Sequence, residues 1–244
     1  GFSAGGAVTT GTFNTLVGGE AGDSLTTGQE NVAIGYAALD GDTAGKGSIA
    51  IGTNSLGVQN FSTATYSNNT AIGHNSGASI TTGIQNTILG AYAGDALTDA
   101  DHNVVVGYAA LSSDTLGSKS IAIGHAALQV QNFVTATNAY NVAVGYNAGQ
   151  QITTGVNNTI IGGLAGDALT TGHDNVAIGI SALSTEDTGS ETVAIGRSAL
   201  FTQNAGAVDT YNVAVGAAAG RLGTTGVQNT IIGGLAGDAL TDAD

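Results

Sequence analysis

The chain of 244 residues has no cysteine, proline, methionine or tryptophan, only seven Tyr and five Phe, and only four Lys and Arg together. Each shortage excludes something. Without cysteine there is neither a disulfide nor a thiolate metal site, and the redox compartment stays open. Four basic residues against 18 acidic ones leave a formal net charge of −14. That sign is wrong for gripping a phosphate backbone or an anionic bilayer, so neither nucleic acid nor a membrane surface is an expected partner. No stretch approaches the roughly 18 apolar residues of a membrane-spanning helix, and the opening Gly1-Phe2-Ser3-Ala4 has no signal-peptide pattern. What the chain does have is glycine, 40 residues of it, together with small aliphatics that bring the hydrophobic fraction to 42%. Glycine at this level without a Gly-X-Y period is not collagen, and a chain this apolar is not a disordered linker.

The glycines are ordered. A pentad of a polar residue, a β-branched residue, an apolar residue, an aliphatic residue and Gly occurs thirteen times. Its glycines are Gly18, Gly35, Gly52, Gly73, Gly90, Gly107, Gly124, Gly145, Gly162, Gly179, Gly196, Gly216 and Gly233, spaced by 17 residues except for steps of 21, 21 and 20. The long step recurs every fourth time, giving a four-turn super-repeat of 72, 72 and 71 residues. Residues 1–244 therefore read as one repetitive domain, with super-repeats at about 14–85, 86–157 and 158–228 and a partial one at 229–244. Asn158–Thr170 and Asn229–Thr241 are identical, and Asp238–Asp244 copies Asp95–Asp101 and stops in mid-turn. Because solenoids end in atypical capping repeats, the chain reads as an internal stretch of a longer fibre.

Three β-formers closed by a glycine make a short strand, and stacking one per 17 residues predicts an all-β, parallel β-solenoid of about thirteen turns. The first and third strand residues, such as Val32 and Ile34, share one face and are expected to fill the interior. The residue between them is also apolar in every copy, and a strand apolar on both faces asks for burial on both. Ala33, Ala50, Ala71, Ile88, Val105, Ala122, Ala143, Ile160, Ala177, Ala194, Ala214 and Ile231 are therefore the expected inter-chain packing positions, in a homo-oligomer about an axis along the fibre. Asn opens ten of the pentads, with Ser48, Ser120 and Thr192 in the rest, and stacked turns predict a hydrogen-bonded side-chain ladder there. Four residues beyond each glycine the residue alternates in pairs between Gly and Leu, as in Gly22, Leu39, Leu56 and Gly77, marking two kinds of corner. Thr-Thr-Gly pieces mark turns between strands.

Asn31–Ala38 (NVAIGYAA), Ser48–Ser55 (SIAIGTNS), Asn69–Ser76 (NTAIGHNS) and Thr192–Ser198 (TVAIGRS) resemble the N-S-V-A-I-G-x-x-S motif of YadA-like trimeric autotransporter heads. Similar glycine-rich arrays occur in phage tail fibres. The resemblance covers nearly the whole chain. It implies a left-handed β-roll, an elongated homotrimer of side-by-side chains, an extracellular place on a virion tail fibre or bacterial surface, and a role in attachment to a host-surface receptor or glycan.

Readings from other classes are weaker. Acyltransferase hexapeptides need turns in multiples of six, and no Ser-His-Asp spacing recurs, so no enzyme is expected and no catalytic or cofactor-binding residue is assigned. Gly162–Asp167 is similar to a calcium-binding nonapeptide, but it recurs once per super-repeat. The acidic pairs Asp40/Asp42, Asp99/Asp101 and Asp242/Asp244 make calcium the one ion to consider, without a full ligand series at any of them. His74 and His125 follow pentad glycines, while His102 and His173 adjoin Asp101 and Asp174; alternation along a strand would point such neighbours apart, so no metal site is assigned. The long steps add Val58–Asn68, Val130–Tyr140 and Thr202–Tyr211, loops on one face that carry Phe61, Tyr66, Phe133, Tyr140 and Tyr211 as candidate receptor contacts. The alternative to a trimeric fibre is a single-chain solenoid that binds calcium or ice.

Overall fold

A computed structural model of the protein describes residues 1–242. The chain forms two compact units, Gly1–Ser120 with Phe133–Thr137, and Ile121–Asn132 with the chain from Asn138 onward. Each is a parallel β-solenoid. The first carries the strands Thr15–Val17, Val32–Ile34, Ile49–Ile51, Thr70–Ile72, Thr87–Leu89 and Val104–Val106. The second carries Ile121–Ile123, Val142–Val144, Thr159–Ile161, Val176–Ile178, Val193–Ile195, Val213–Val215 and Thr230–Ile232. Each strand is one pentad without its polar opener and its glycine. Within a unit every strand pairs with its equivalent one turn on, as in Ala33 with Ala50 and Ala143 with Ile160. The long steps leave this register intact: Ala50 still faces Ala71, and Ala194 still faces Ala214. No described residue is helical, so no helix is long and apolar enough to cross a membrane.

Each turn closes through backbone of positive φ. At Gly90 φ is 137°, and a Cβ there would lie 2.4 Å from the carbonyl oxygen of Gly107 in the next turn. Only glycine permits both the dihedral and the close stacking, which explains why this pentad position never varies. Three further corners use the left-handed region: one alternates between Gly and Leu, as in Gly22 (φ 57°) and Leu39 (φ 53°), and two take side-chain-bearing residues such as Tyr92 (φ 57°) and His102 (φ 60°). Such a residue costs about 1–2 kcal/mol. The cost is offset because the same geometry aims its N–H at the preceding turn: Tyr92 N–H donates to the His74 carbonyl at 2.9 Å, and His102 N–H to the Ile84 carbonyl at 3.1 Å.

The interior corrects one sequence expectation. The middle strand residues Ala33, Ala50, Ala71, Ile88, Val105, Ala122, Ala143, Ile160, Ala177, Ala194 and Ala214 are completely buried inside their own coil, while Leu16 in the first strand and Ile231 in the last are partly exposed. They are core and not inter-chain contacts. The flanking residues Val32 and Ile34 and their equivalents face outward. The reason is period-two alternation from the pentad opener: Asn31 is buried, so the residue two further on shares its inward face.

The opposite wall supplies larger side chains by exchange between two positions. Where the fourth residue after the glycine is Leu (Leu39, Leu56, Leu111, Leu128, Leu183), it is buried. Where that residue is Gly, the buried aliphatic comes three residues later, as Leu25, Ile80, Leu97, Ile152 or Leu169. Gly77 shows why the two exclude each other: a Cβ there would meet Ile80 and Ile88 at 3.0 Å and Leu56 at 3.1 Å. A turn thus fills its core by one route or the other, as close packing requires, except after Gly216, where both positions are glycine (Gly220 and Gly223).

The expected ladder is present, with Asn86 Nδ2 donating to Asn69 Oδ1 at 3.3 Å and Asn158 Nδ2 to Asn141 Oδ1 at 3.2 Å, and the same amides also bond the backbone. Asn86 Oδ1 accepts the main-chain N–H of Asn103 at 3.0 Å, while Asn86 Nδ2 donates to the Ala100 carbonyl at 2.7 Å. Asn158 does the same toward Asn175 and Gly172. Each side chain therefore satisfies two buried backbone groups that the turn would leave unpaired. A second ladder runs along the Thr-Thr-Gly corners, where the Thr81 hydroxyl donates to the Thr98 carbonyl and Thr153 to Thr170.

Candidate functional site

Three features reach the surface or organise it: the outward strand face, the long loops and a row of rings at one corner. Across all thirteen strands the two outward positions hold only Val, Ile, Leu or Thr, with no charge. In the single chain these side chains are open to solvent to a degree unusual for aliphatics, 46% at Leu89 and 36–37% at Ile34, Ile49, Ile123 and Ile161. Within each unit these side chains form an apolar face that the single chain does not cover.

The long loops are anchored from below by a buried polar network that sequence reasoning missed. In turns with Leu at the fourth position, the residue seven beyond the glycine is Asp42, Gln59, Asp114, Gln131, Glu186 or Gln203, and all six are buried. They come as an acid in one turn and Gln in the next, and the long loop always leaves from the Gln turn. Gln59 Nε2 donates to Asp42 Oδ2 at 2.7 Å and to Ser48 Oγ at 3.0 Å, while its Oε1 accepts from Asn69 Nδ2 at 2.9 Å. Asp42 Oδ1 accepts the backbone N–H groups of Gly45 (3.0 Å) and of Phe61 in the loop (3.1 Å). Asp114 repeats this toward Gly117 and Phe133, and Glu186 toward Gly189, Ala205 and Gln203. Ser48, Ser120 and Thr192 stand where other turns have Asn because the pentad opener must be short to leave room for the Gln. The readable signal was this three-way covariation of Ser or Thr, Leu and Gln.

Of the five aromatic residues expected at a receptor, Tyr66, Tyr140 and Tyr211 are exposed and Phe61 and Phe133 are not. The two Phe side chains are 7% and 6% accessible because they follow the N–H groups held by Asp42 and Asp114, which turns them inward beneath the loop. The exposed Tyr66 belongs to a short parallel ladder in which Thr65–Tyr66 pairs with Gly45–Lys46, and Lys46 Nζ lies 5.6 Å from the Tyr66 ring centroid.

Histidines and acids separate differently from the pairing of neighbours in sequence. His74 meets Tyr92 edge-on with centroids 5.2 Å apart, and Tyr92 meets Tyr108 at 5.9 Å; in the second unit His125 stacks on Tyr146 at 5.2 Å. His173 and Asp174 do come together, Nδ1 to Oδ2 at 2.8 Å, because Asp174 is a left-handed corner (φ 56°) and not part of a strand. Asp40 and Asp42 diverge: Asp42 is inside, whereas Asp40 lies nearer the surface, its carboxyl held above the usual range by partial burial and by Asp23 and Glu20. Tyr36 is likewise raised, by its hydrogen bond to Glu20 and that residue's charge. Asp99 accepts the Thr82 hydroxyl and Asp101 the Ile84 N–H, and Asp244 lies outside the described residues. Among the described residues no three His, Asp or Glu side chains converge on one point.

Fold and surface together define a β-solenoid repeat protein with an apolar outward face and periodically anchored loops. No family of known proteins, no curated protein and no solved structure matches the chain.

Proposed function

We propose that the chain is a structural and adhesive fibre element, a homotrimer of side-by-side solenoids outside the cell, on a phage tail fibre or a bacterial surface, serving attachment. The observation that carries this reading is the outward strand face. Two uncharged β-formers per turn, in every turn, are spent on a surface that the single chain leaves in contact with water. A stripe of that kind is an aggregation hazard unless it is covered, and copies of the same chain, with the same repeat length, cover it in register. The resemblance of the strand motif to trimeric adhesin heads sets the number at three. The solenoid stack then supplies stiffness, and the loops supply whatever touches a receptor.

The test is mass in solution with a charge placed on the stripe. Light scattering on the intact chain should give three times the chain mass. Ile34→Asp with Ile123→Asp should shift it to the monomer while circular dichroism keeps its β signal, and Ser62→Asp in a loop should leave it unchanged. A folded wild-type monomer refutes the reading.

A further inference from the structure

We infer that the pocket beneath the third long loop is a saccharide-binding subsite. The inference rests on the attachment reading and gives it a chemistry. The pocket has a volume of about 290 Å³ and is lined by Thr171, His173, Thr188, Ser190 and the loop residues Val208 and Asp209. That volume is at the small end for ligand pockets, the size for one ring.

The pocket coincides with a local exchange. In the first loop the same place is occupied: Lys46 pairs with Tyr66 across the short ladder and lays its ammonium on the ring. In the third loop the equivalent parallel bridge joins Ser190 to Asp209. A long cation and a ring are here a hydroxyl and a carboxyl at the equivalent backbone positions, which leaves less side chain over the bridge.

The groups left around it suit a polyol. The Ser190 hydroxyl accepts the main-chain N–H of His173 at 3.1 Å, which fixes its oxygen and leaves its proton to donate. His173 Nδ1 lies 2.8 Å from the Asp174 carboxylate, which orients the ring and leaves Nε2 for a ligand hydroxyl. Thr188 Oγ1 donates to Asp187 Oδ1 at 3.1 Å and so offers lone pairs. The Asp209 carboxyl is exposed, with the Tyr211 hydroxyl 3.4 Å from its Oδ2. Val208, 46% exposed, gives one apolar patch. A hydroxyl donor among several acceptors, with a small apolar surface, matches the vicinal hydroxyls and C–H face of a sugar ring. An anion is disfavoured: Asp209 and Glu191 already push the Tyr211 hydroxyl upward.

The probes are glucose, galactose, mannose and N-acetylglucosamine, each added in millimolar excess to the full chain in EDTA, with saturation-transfer NMR as the readout. At least one should receive saturation. Ser190→Lys with Asp209→Tyr, which installs the pair the first loop already carries, should weaken binding by roughly tenfold or more, as loss of preorganised polar contacts and of the space itself requires, with the solution mass unchanged. His173→Ala should weaken it as well. Transfer to none of the four sugars overturns the subsite, as does undiminished transfer in the double variant. A trimer that binds no sugar would leave the fibre reading standing, and a monomer that binds sugar would remove the fibre and keep the subsite.

Discussion

Removing the Asp42 carboxyl tests the claim that buried acid–glutamine pairs hold the long loops. Asp42→Ala strips the acceptor from three donors at once: Gly45 N–H, Phe61 N–H and Gln59 Nε2, now at 3.0, 3.1 and 2.7 Å. A buried donor left without a partner costs about 1–3 kcal/mol. The three belong to one network and will not add fully, so a total of roughly 3–5 kcal/mol is expected. Since every 1.4 kcal/mol is tenfold, amide exchange at Gly45 and Phe61 should accelerate on the order of 100-fold or more. Amides remote in the same unit, such as Thr15, should change far less. A chemically exchanged pair sharpens the test. Asp42→Asn keeps Oδ1 for the two backbone donors but sets an amide N–H against the Gln59 N–H. Adding Gln59→Glu lets the new amide at position 42 donate to the new carboxylate at position 59, which still accepts from Asn69 Nδ2. The double variant should regain most of what the single amide loses. Unchanged exchange at Gly45 and Phe61 in Asp42→Ala, or a double variant no better than its parents, would refute the anchoring role.

Gly90→Ala should cost about 1–3 kcal/mol in strain alone, and more from the 2.4 Å approach to Gly107, whereas Gly206→Ala, with φ 75° and nothing within 4 Å, should cost about 1 kcal/mol; urea unfolding separates the two. Gly223 stands where Leu25, Ile80, Leu97 and Ile152 fill the core of other turns, and it leaves a cavity of about 20 Å³ beside Leu200, Ile231 and Leu240. Gly223→Ile should add about 1–3 kcal/mol and slow amide exchange around Ile231, and unaltered exchange would deny the cavity a cost. Burial raises the Asp95 carboxyl, whose Oδ1 has no hydrogen-bond partner, so the folded chain binds its proton more tightly than the unfolded one. Stability from this group is full below the ordinary carboxylate range and is lost as pH rises through the raised value. Asp95→Asn should therefore be more stable than wild type at neutral pH, with the difference shrinking toward pH 4, and a difference independent of pH would contradict the assignment.

The turn length, the strands, their register and the Asn ladder were all legible in the sequence, because each depends on one residue type recurring at one spacing. The inward face was legible too, through a different residue from the one that draws attention. Val32 and Ile34 are larger and more β-prone than Ala33, yet Asn31 settles the direction: a side chain that satisfies two buried backbone groups must point in, and it carries Ala33 with it. The core beyond the strand was hidden because it is shared by two positions. Leu39 and Leu25 do the same work from different places, so neither column alone shows a hydrophobic repeat. For the same reason Asp42 reads as a surface acid until its turn is seen to have filled its core from Leu39. The pocket at Ser190 and Asp209 was not legible at all, since it depends on what is missing relative to Lys46 and Tyr66 and not on any motif.

These exchanges explain how a strictly repetitive core coexists with loops that differ. A turn that fills its interior from the fourth position frees the seventh for a polar side chain, and two such turns in succession make an acid–glutamine pair able to satisfy backbone that departs from the stack. Loops can therefore leave only from those turns, as they do after Gln59, Gln131 and Gln203. Once anchored, a loop can change its outer residues without touching the stack beneath. Glu186 replaces Asp42 and Asp114 and still holds Gly189 and the loop, although the loop is a residue shorter and Ala205 replaces the buried Phe. Over the same anchor, Lys46 and Tyr66 give way to Ser190 and Asp209. The outward strand face shows the opposite behaviour, staying free of charge through all thirteen strands. A surface held constant from turn to turn is what the proposed contact with copies of the same chain requires, and loops that vary over a fixed anchor are what the proposed contact with a receptor requires.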